Sequence, residues 1–570
     1  MALEALWVLE LASRRGFREC AQHHVSAPGN HGNLEGGGIL DSLGRNAGLS
    51  EGSEPTLGTE PVPGFLESRE IRHLRGGLGP RKVCCGEPQL IGAKPLIRNY
   101  TFGRRIRRRR RVRVDRASQL KLVEKIEAGH MRTFAVSKTQ EVYQRALKSI
   151  PRGTHSDSRC RVPYPTYAAR AEGAWIYDVD GNRFLDCLMG NGAVLLGYRC
   201  PEIERALAGH IKDGLMAGVE SELSVTAAER FLRLVSMAEV VRFATTGTEA
   251  MMHVLSMARA YTGRANIAKP EGSYHGWYDY TFVGTWPDVS QAGEARRPRS
   301  LPGTAGLHPQ AVSSTLVLPF NDIEATEQLL RANADSLAAV VLEPVMIDIG
   351  WIPATKTYLQ KLREVTRELG ILLIFDELLT GFRIALGGAQ EFYDVQPDLS
   401  IFGKAIANGY ILSAVAGRRD LMDPDPTVRA RSSFVGTFNG HPLSLAASVA
   451  TLDILADGEV LAQLQQRTEI LISEFASMCR KHGISAQLRG GGGHFHWYFT
   501  EAEITDYRSA ATSNASLYKT FSQALLERGV LCTSGYLQHH ALSSAHKDAE
   551  LEFLIAAMEN AIEEVANSIA

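Results

Sequence analysis

The chain has 570 residues, with 62 lysines and arginines against 63 aspartates and glutamates, so its formal net charge is −1. This balance argues against a protein that binds polyanions over its whole surface. No run reaches the roughly 18 apolar residues of a membrane span, which argues against an integral membrane protein. The cysteines form no C-x-x-C pair, so we expect reduced thiols rather than a disulfide framework or a zinc site.

Residues 1–135 differ in composition from the rest of the chain. Residues 32–64 are rich in glycine, proline and serine without a helical or strand period, which is typical of loops. Residues 104–116 hold nine arginines in thirteen positions, and such a block repels itself and favours a solvated segment. The alternative is a nucleic-acid-binding or nuclear-import patch, but no aromatic platform or folded motif accompanies it. We therefore predict a disordered, Gly/Arg-rich extension over residues 1–135.

The N-terminal segment carries no clear targeting signal. Glu4 and Glu10 interrupt its apolar stretch, which argues against both a secretory and a mitochondrial peptide. Arg14, Arg15 and Arg18 leave organellar import open as an alternative to the cytoplasmic location that we predict.

From residue 138 onward, apolar strands alternate with amphipathic helices. Residues 337–342 and 371–376 read as buried strands, and residues 355–369 between them read as a charged helix. This alternation predicts an α/β fold with a mostly parallel sheet. Ligands bind such sheets at the carboxyl ends of the strands, so we expect Asp376 and Lys404, both at predicted strand ends, to face one crevice.

Three local signals along this sheet concern chemistry. The end of a strand, a small polar turn and a helix succeed one another over residues 243–262, and amides at a helix N-terminus bind phosphate. The turn contains Gly247 and Thr248, although an ordinary capped helix explains it equally well. Burying the Asp376 carboxylate at the end of a strand costs free energy unless a cation lies next to it. The alternative is that Asp376 caps the following loop. Lys404 lies among apolar and small residues, and burial there would lower its pKa and make the amine nucleophilic. The alternative is that its side chain extends into solvent.

Together, a phosphate turn, a strand-end acid and a strand-end lysine are what pyridoxal phosphate requires. On these residues the chain from about Lys138 resembles the class III pyridoxal-phosphate-dependent aminotransferases, and within them the glutamate-1-semialdehyde 2,1-aminomutase branch. The resemblance implies the fold type I architecture, with a large domain and a smaller α+β domain built from N- and C-terminal segments. The implied segments are 136–200 (small domain), 201–437 (large, cofactor-binding domain) and 438–570 (small domain).

The resemblance also implies the residues that hold the cofactor. Tyr274, in a Tyr-His-Gly segment with His275, is implied to stack on the ring, and Leu378 to cover its opposite face. Asp376 is implied to bind the ring nitrogen and Lys404 to form the Schiff base. The full cofactor-binding set is Gly247, Thr248, Tyr274, His275, Asp376, Leu378, Lys404 and Thr437.

Two members of this set are implied to bind the phosphate within one chain, namely Gly247 and Thr248. Thr437 is implied to reach the phosphate of a neighbouring subunit, which would make the protein a homodimer with shared active sites. Arg159 aligns with the family's substrate-carboxylate arginine, and a guanidinium fork suits a carboxylate. Tyr274 in core packing, Thr437 in a turn and Arg159 on the surface are the structural alternatives.

The substrate side departs from the aminomutase pattern. Residues 190–191 are Gly-Asn where the aminomutase has Ser-Trp, Leu537 or Gln538 stands where it has an acid, and Asp348 stands where it has an amide. We therefore predict an aminotransferase that moves an amino group from a carboxylate-bearing amine to a keto acid. The alternatives are the aminomutase itself and, more remotely, a non-catalytic protein with a nucleic-acid-binding N-terminal segment.

Four histidines near the C-terminus, at positions 494, 496, 539 and 540, invite comparison with a metal site. They form two close pairs, and neither pair has a nearby third ligand at an obvious spacing. We therefore predict no metal and interpret them as surface or substrate-pocket histidines.

Overall fold

A computed structural model of the protein describes residues 134–215 and 218–569. The arginine block and almost all of the predicted extension lie outside these residues. The elements up to the central sheet are α1 (Ser137–Ala146), β1 (Ala168–Glu172), β2 (Trp175–Asp178), β3 (Arg183–Asp186), α2 (Pro201–Ile211) and α3 (Glu222–Leu234). Short 3-10 turns span Pro151–Gly153, Asp157–Arg159 and Lys404–Ala407.

The middle of the chain builds the central sheet and its flanking helices. Its elements are β4 (Val240–Ala244), α4 (Gly247–Thr262), β5 (Asn266–Pro270), β6 (Gly293–Glu294), β7 (Arg297–Pro298), α5 (Pro309–Ser313), β8 (Thr315–Leu318), α6 (Ile323–Ala332), β9 (Leu337–Leu342), β10 (Val345–Met346), β11 (Ile352–Pro353), α7 (Lys356–Glu368), β12 (Leu372–Asp376), α8 (Ala389–Tyr393), β13 (Leu399–Gly403), β14 (Ser413–Gly417) and α9 (Arg419–Met422).

The C-terminal part is mainly helical, with two short sheets. Its elements are α10 (Pro442–Leu455), α11 (Glu459–His482), β15 (Gln487–Gly491), β16 (His494–Tyr498), α12 (Tyr507–Ala510), α13 (Ala515–Glu527), β17 (Val530–Leu531), β18 (His540–Ala541) and α14 (Asp548–Ile569).

The central sheet has seven strands in the order β4-β14-β13-β12-β9-β5-β8. All neighbouring pairs are parallel except those that involve β14, which runs antiparallel to both β13 and β4. The predicted mostly parallel α/β sheet is therefore confirmed. Its strands β9, β12 and β13 are buried along their whole length, as expected for strands covered on both faces.

Helix α7 lies between two of these strands in the chain. Thr355 caps its N-terminus, where the side-chain oxygen accepts the Tyr358 N–H at 3.1 Å. Gly370 follows the helix with a φ of +63°, a conformation that glycine adopts without strain. The predicted helix at 355–369 is thus confirmed, and its end directs the chain back into β12.

The register of β12 and β13 places two predicted site residues side by side. Asp376, the last residue of β12, pairs with Ile401 of β13, and Lys404 follows three residues after Ile401. Because parallel strands end at one edge, both side chains lie at the carboxyl edge of the sheet.

Segments from both ends of the described chain meet in a second sheet, ordered β1-β2-β3-β17. Strand β17 pairs in parallel with β3, so that Val530 lies opposite Leu185. This pairing agrees with a smaller α+β body built from N- and C-terminal segments. The boundaries at 136–200, 201–437 and 438–570 stay predictions. In the part of the chain that the structure describes, no helix has both the length and the apolar character needed to cross a membrane.

Candidate active site

The turn between β4 and α4 forms one side of the candidate site. Thr246 has an extended conformation and caps α4, its side-chain oxygen accepting the Glu249 N–H at 3.2 Å. The carboxylate of Glu249 in turn accepts the N–H of Thr245 at 2.9 Å. Other N–H groups of the first turn have no partner within the helix, as at every helix N-terminus. The turn is therefore a capped helix start, and its role as a phosphate site stays a prediction.

Leu378 connects this turn to the lysine strand. A Cβ added to Gly247 would lie 2.5 Å from Leu378 Cδ1, and one added to Gly403 would lie 2.5 Å from Leu378 Cδ2. Leu378 therefore sits between the start of α4 and the residue that precedes Lys404. Only glycines permit this close approach, and the predicted roles of these residues toward a cofactor stay predictions.

The segment that contains Tyr274 and His275 rests on the start of α4. Thr248 Oγ1 accepts the backbone N–H of Trp277 at 3.1 Å. Gly276 has a φ of +85°, and a Cβ there would lie 2.6 Å from Thr248 Oγ1. A larger residue would push the segment away from the helix, so glycine at this position fixes where the neighbouring ring and imidazole lie.

Asp376 and His275 form a buried pair. Asp376 Oδ2 lies 2.8 Å from His275 Nδ1, and the two side chains are 2% and 0% exposed. Ser273 Oγ donates its hydrogen to the Pro270 carbonyl at 2.7 Å, so it can only accept from His275 Nε2, which lies 3.0 Å away. Since Nε2 then carries a proton, one further proton lies between Nδ1 and the carboxylate. Burial lowers the pKa of His275, and the hydrogen bond with Asp376 opposes that shift.

Lys404 begins a 3-10 turn directly after β13 and has a φ of +49°. A non-glycine residue in this left-handed region is strained, and such strain concentrates at functional sites. Burial lowers the pKa of Lys404, and the charges of Asp348, Asp376 and Glu343 act against that effect. The lysine therefore lies in a largely desolvated place that is surrounded by carboxyl groups.

Two of those carboxyl groups are themselves perturbed. Burial raises the pKa of Asp348 to about 6, while the charge of Lys404 acts in the opposite direction. Burial, followed by the charges of Asp376 and Asp348, raises the pKa of Glu343 well above its usual range. A cluster of acids that resist ionisation beside one lysine can hold and exchange protons near neutral pH.

An aromatic group that the sequence reasoning missed adjoins Tyr274. The ring of Trp286 stacks on that of Tyr274, with centroids 5.4 Å apart and planes 11° apart. The Trp286 indole N–H donates to Asp348 Oδ2 at 3.1 Å. Burial raises the pKa of Tyr274 to about 12. No short sequence motif predicts the position of Trp286, because it lies in a loop whose conformation depends on tertiary contacts.

Two of the C-terminal histidines are buried near Lys404. His494 and His539 are buried and their rings meet at 77° with centroids 5.1 Å apart. Burial and then the charge of Arg383 lower the pKa of His494 well below its usual range. Burial and then the charge of Lys404 lower the pKa of His539 to about 3. The interpretation of these residues as surface histidines is therefore wrong, and the pocket alternative fits their position.

Arg383 lies behind these histidines and is almost fully buried. Its guanidinium donates to the carbonyls of Leu542 at 2.8 Å and Gly192 at 2.7 Å. Within residues 134–215 and 218–569 it has no acidic partner in an ion pair, and burial lowers its pKa to about 9. Arg383 is therefore the charged member of this group, because burial lowers the pKa of both histidines. Over the same residues, no group of three or more histidine, cysteine, aspartate or glutamate side chains is arranged to hold a metal ion.

The structure does not bring Arg159 and Thr437 to Lys404. Arg159 lies exposed at the end of its 3-10 turn, and Thr437 is exposed after Gly436. A Cβ at Gly436 would lie 2.5 Å from Glu249 Oε1, so the segment before Thr437 does approach the start of α4. The predicted roles of both residues stay predictions.

The geometry can be compared with known proteins. A model of the class-III aminotransferase family matches residues 158–558. The glutamate-1-semialdehyde 2,1-aminomutase of Methanothermobacter thermautotrophicus is 36% identical over 430 residues, which cover 75% of this chain and 100% of that protein. An omega-transaminase from Sphaerobacter thermophilus has a similar structure, with a TM-score of 0.71 and 33% identity over 78% of this chain and 99% of that one.

A further solved structure, a transaminase with pyridoxal phosphate bound, has a TM-score of 0.69 and 30% identity, and the similarity covers 76% of this chain and 99% of that one. The family match, the sheet and the arrangement around Lys404 agree with one another. The chain belongs to the class-III aminotransferase family of pyridoxal-phosphate-dependent enzymes.

Proposed function

We propose that the protein is an aminotransferase that takes the amino group of a carboxylate-bearing amine and passes it to a keto acid. The observation that carries this choice is that the substrate-side positions depart from the aminomutase pattern while Lys404 and Asp376 are kept. Residues 190–191 are Gly-Asn instead of Ser-Trp. Asp348, which stands where the aminomutase has an amide, binds the Trp286 indole instead of remaining free.

The residues around Lys404 fit pyridoxal phosphate chemically. We assign the phosphate to the first-turn amides of α4 at Gly247 and Thr248, where the helix dipole also favours an anion. Asp376 is assigned to the ring nitrogen, because a buried carboxylate next to a pyridinium is compensated. When bound, the cofactor supplies an aldehyde that captures amines and a ring that stabilises negative charge. Leu378 contacts both Gly247 and Gly403, which suits a side chain beneath that ring.

The remaining cofactor assignments follow the same set. Tyr274 is proposed to cover the second face of the ring, and His275 to orient Asp376 through the 2.8 Å contact. Lys404 holds the cofactor at rest and then moves the substrate proton at its Nζ. Because burial lowers the pKa of Lys404, a larger fraction is the neutral amine that such a base requires.

We also propose that Arg159 binds the substrate carboxylate and that Thr437 acts in a neighbouring subunit, so that the enzyme is a homodimer with shared sites. Arg159 is exposed and forms no ion pair with the residues that the structure describes, so its charge is free for a ligand. The small-molecule substrates would then bind between the cofactor and the group formed by His494, His539 and Arg383.

The second candidate is glutamate-1-semialdehyde 2,1-aminomutase. The curated relatives of the chain favour it, since the compared relative bears that name at 36% identity. Membership of an enzyme family argues against the third prediction, a non-catalytic nucleic-acid-binding protein.

The test is to incubate the purified protein with a panel of amino acids and 2-oxoglutarate, and separately with glutamate 1-semialdehyde alone. Formation of glutamate from 2-oxoglutarate, lost in Lys404→Ala, supports the aminotransferase. Conversion of the semialdehyde without any acceptor, with no glutamate formed from the panel, would establish the aminomutase instead.

A further inference from the structure

We infer that Trp286 forms an aromatic wall at the mouth of the Lys404 site and receives a flat apolar group of the amine substrate. The inference rests on the proposed function, because it names the class of amine that the same site selects.

The backbone of Trp286 is held in an unusual conformation. Its φ is +46°, which is rare for a bulky side chain. The residues on either side are anchored: the buried Lys269 donates to Thr285 Oγ1 at 2.9 Å, and the Tyr507 hydroxyl donates to the Pro287 carbonyl at 2.7 Å. Such a conformation persists only where the surroundings over-determine it, and it is typical of functional sites.

The side chain is fixed as firmly as the backbone. Its N–H is bound to Asp348 at 3.1 Å, and one face stacks on Tyr274. The ring of Phe282 meets the indole edge-on, at 82° and with centroids 5.9 Å apart. Despite these contacts, Trp286 is 43% exposed. The fold therefore presents a rigid aromatic surface to the outside instead of burying it.

The exposed surface is connected to the lysine's edge of the sheet by a chain of contacts. Tyr274, which stacks on the indole, precedes His275, and His275 lies 2.8 Å from Asp376 at the strand edge where Lys404 also lies. A substituent of an amine bound at that edge can therefore reach the indole. Aromatic rings pair best in offset-stacked or edge-to-face arrangements, so a flat apolar substituent gains most from this surface.

Trp277 provides a comparison within the same segment. It is 63% exposed, but its closest aromatic contact is a tilted one with Phe282, at 6.4 Å between centroids. Its indole N–H has no hydrogen-bond partner among the described residues, and its φ is not positive. Exposure alone thus does not distinguish the two tryptophans, whereas anchoring does, and Trp277 serves as a matched control.

The experiment measures dissociation constants of the cofactor-loaded enzyme from the visible absorbance of the bound cofactor. The probes are L-phenylalanine with L-alanine, and 2-phenylethylamine with ethylamine, and the quantity compared is the aromatic preference within each pair. Trp286→Ala is expected to reduce this preference about 5-fold, as the loss of one ring contact implies. Trp286→Phe should retain it within about 2-fold, and Trp277→Ala should leave it unchanged.

An unchanged preference in Trp286→Ala, an equal loss in Trp277→Ala, or a wild-type enzyme that binds neither aromatic probe would each overturn the inference. If Trp286→Ala does not fold, Trp286→Leu replaces it, because leucine keeps apolar volume without a ring. Failure of the proposed function is read separately: an enzyme that prefers aromatic amines yet transfers no amino group to a keto acid disproves aminotransfer and leaves the wall in place.

Discussion

Replacing His275 by phenylalanine tests how the buried carboxylate is held. The substitution keeps a ring of similar size but removes both ring nitrogens, so Asp376 Oδ2 loses its 2.8 Å partner and Ser273 Oγ loses a donor. Asp376 is only 2% exposed, so water does not replace the lost contact. Leaving a buried polar group without its partner costs about 1–3 kcal/mol, more for a charged one. That range corresponds to about a 5- to 150-fold effect.

Retention of pyridoxal phosphate measures this effect without requiring turnover. The dissociation constant, obtained by equilibrium dialysis of the wild type and His275→Phe, should rise by the factor above, because a displaced carboxylate binds the ring nitrogen less well. Ser273→Ala, which removes only the far end of the chain of hydrogen bonds, should have a smaller effect. A constant for His275→Phe within 2-fold of the wild type, with the fold intact by circular dichroism, would refute the positioning role.

Three further predictions concern the same site. Burial raises the pKa of Asp348 to about 6 in the folded protein, so the stability that this group contributes is complete below its unfolded pKa and is lost as the pH rises to about 6. Asp348→Asn does not suffer this loss. As the pH rises from 4 to 7, its free energy of unfolding should therefore gain about 2–3 kcal/mol relative to the wild type, measured by urea unfolding. Lys269→Met removes three buried hydrogen bonds and should lower the free energy of unfolding by about 2–4 kcal/mol, whereas an unchanged midpoint would contradict this. Gly247→Ala places a Cβ 2.5 Å from Leu378 and should cost about 1–3 kcal/mol and weaken cofactor binding, while Gly209→Ala, with nothing within 4 Å, should do neither.

The central sheet and the meeting of Asp376 and Lys404 at one strand edge could be predicted from the sequence because their signals are local. Apolar runs that end in Asp376 and precede Lys404 indicate buried strands whose ends meet at one edge, and the parallel register of β12 and β13 confirms it. The capped turn at Gly247 is likewise a matter of neighbouring residues. Each of these depends on spacing within about ten positions, where propensity and patterning are most reliable.

The positions of Trp286 and His539 could not be predicted in the same way. Trp286 owes its position to anchors at Lys269 and Tyr507, which lie far apart in the chain. His539 is buried because the C-terminal segment folds back toward Arg383 and Lys404. A histidine on an irregular segment has no period to reveal its burial, so the sequence left its surface and pocket placements equally open.

Arg159 and Thr437 show a different limit. Both were assigned through resemblance to a family, and both are exposed on the single chain. A residue that binds a ligand or a second subunit makes the relevant contact only in the complex, so the structure of a single chain does not show it. Their test is therefore functional: Arg159→Lys should raise the KM for a carboxylate-bearing amine more than it lowers kcat, since a lysine cannot reproduce the bidentate fork.

The most direct measurement asks which lysine holds the cofactor. Burial lowers the pKa of Lys404, and it lowers that of Lys269 to about 7. Borohydride reduction of the pyridoxal-phosphate-loaded enzyme fixes the cofactor to its lysine, and peptide mass spectrometry then locates it. The account predicts a phosphopyridoxyl group on Lys404 alone and a protein without the label in Lys404→Ala. A label on Lys269, or an equal label in Lys404→Ala, would contradict it.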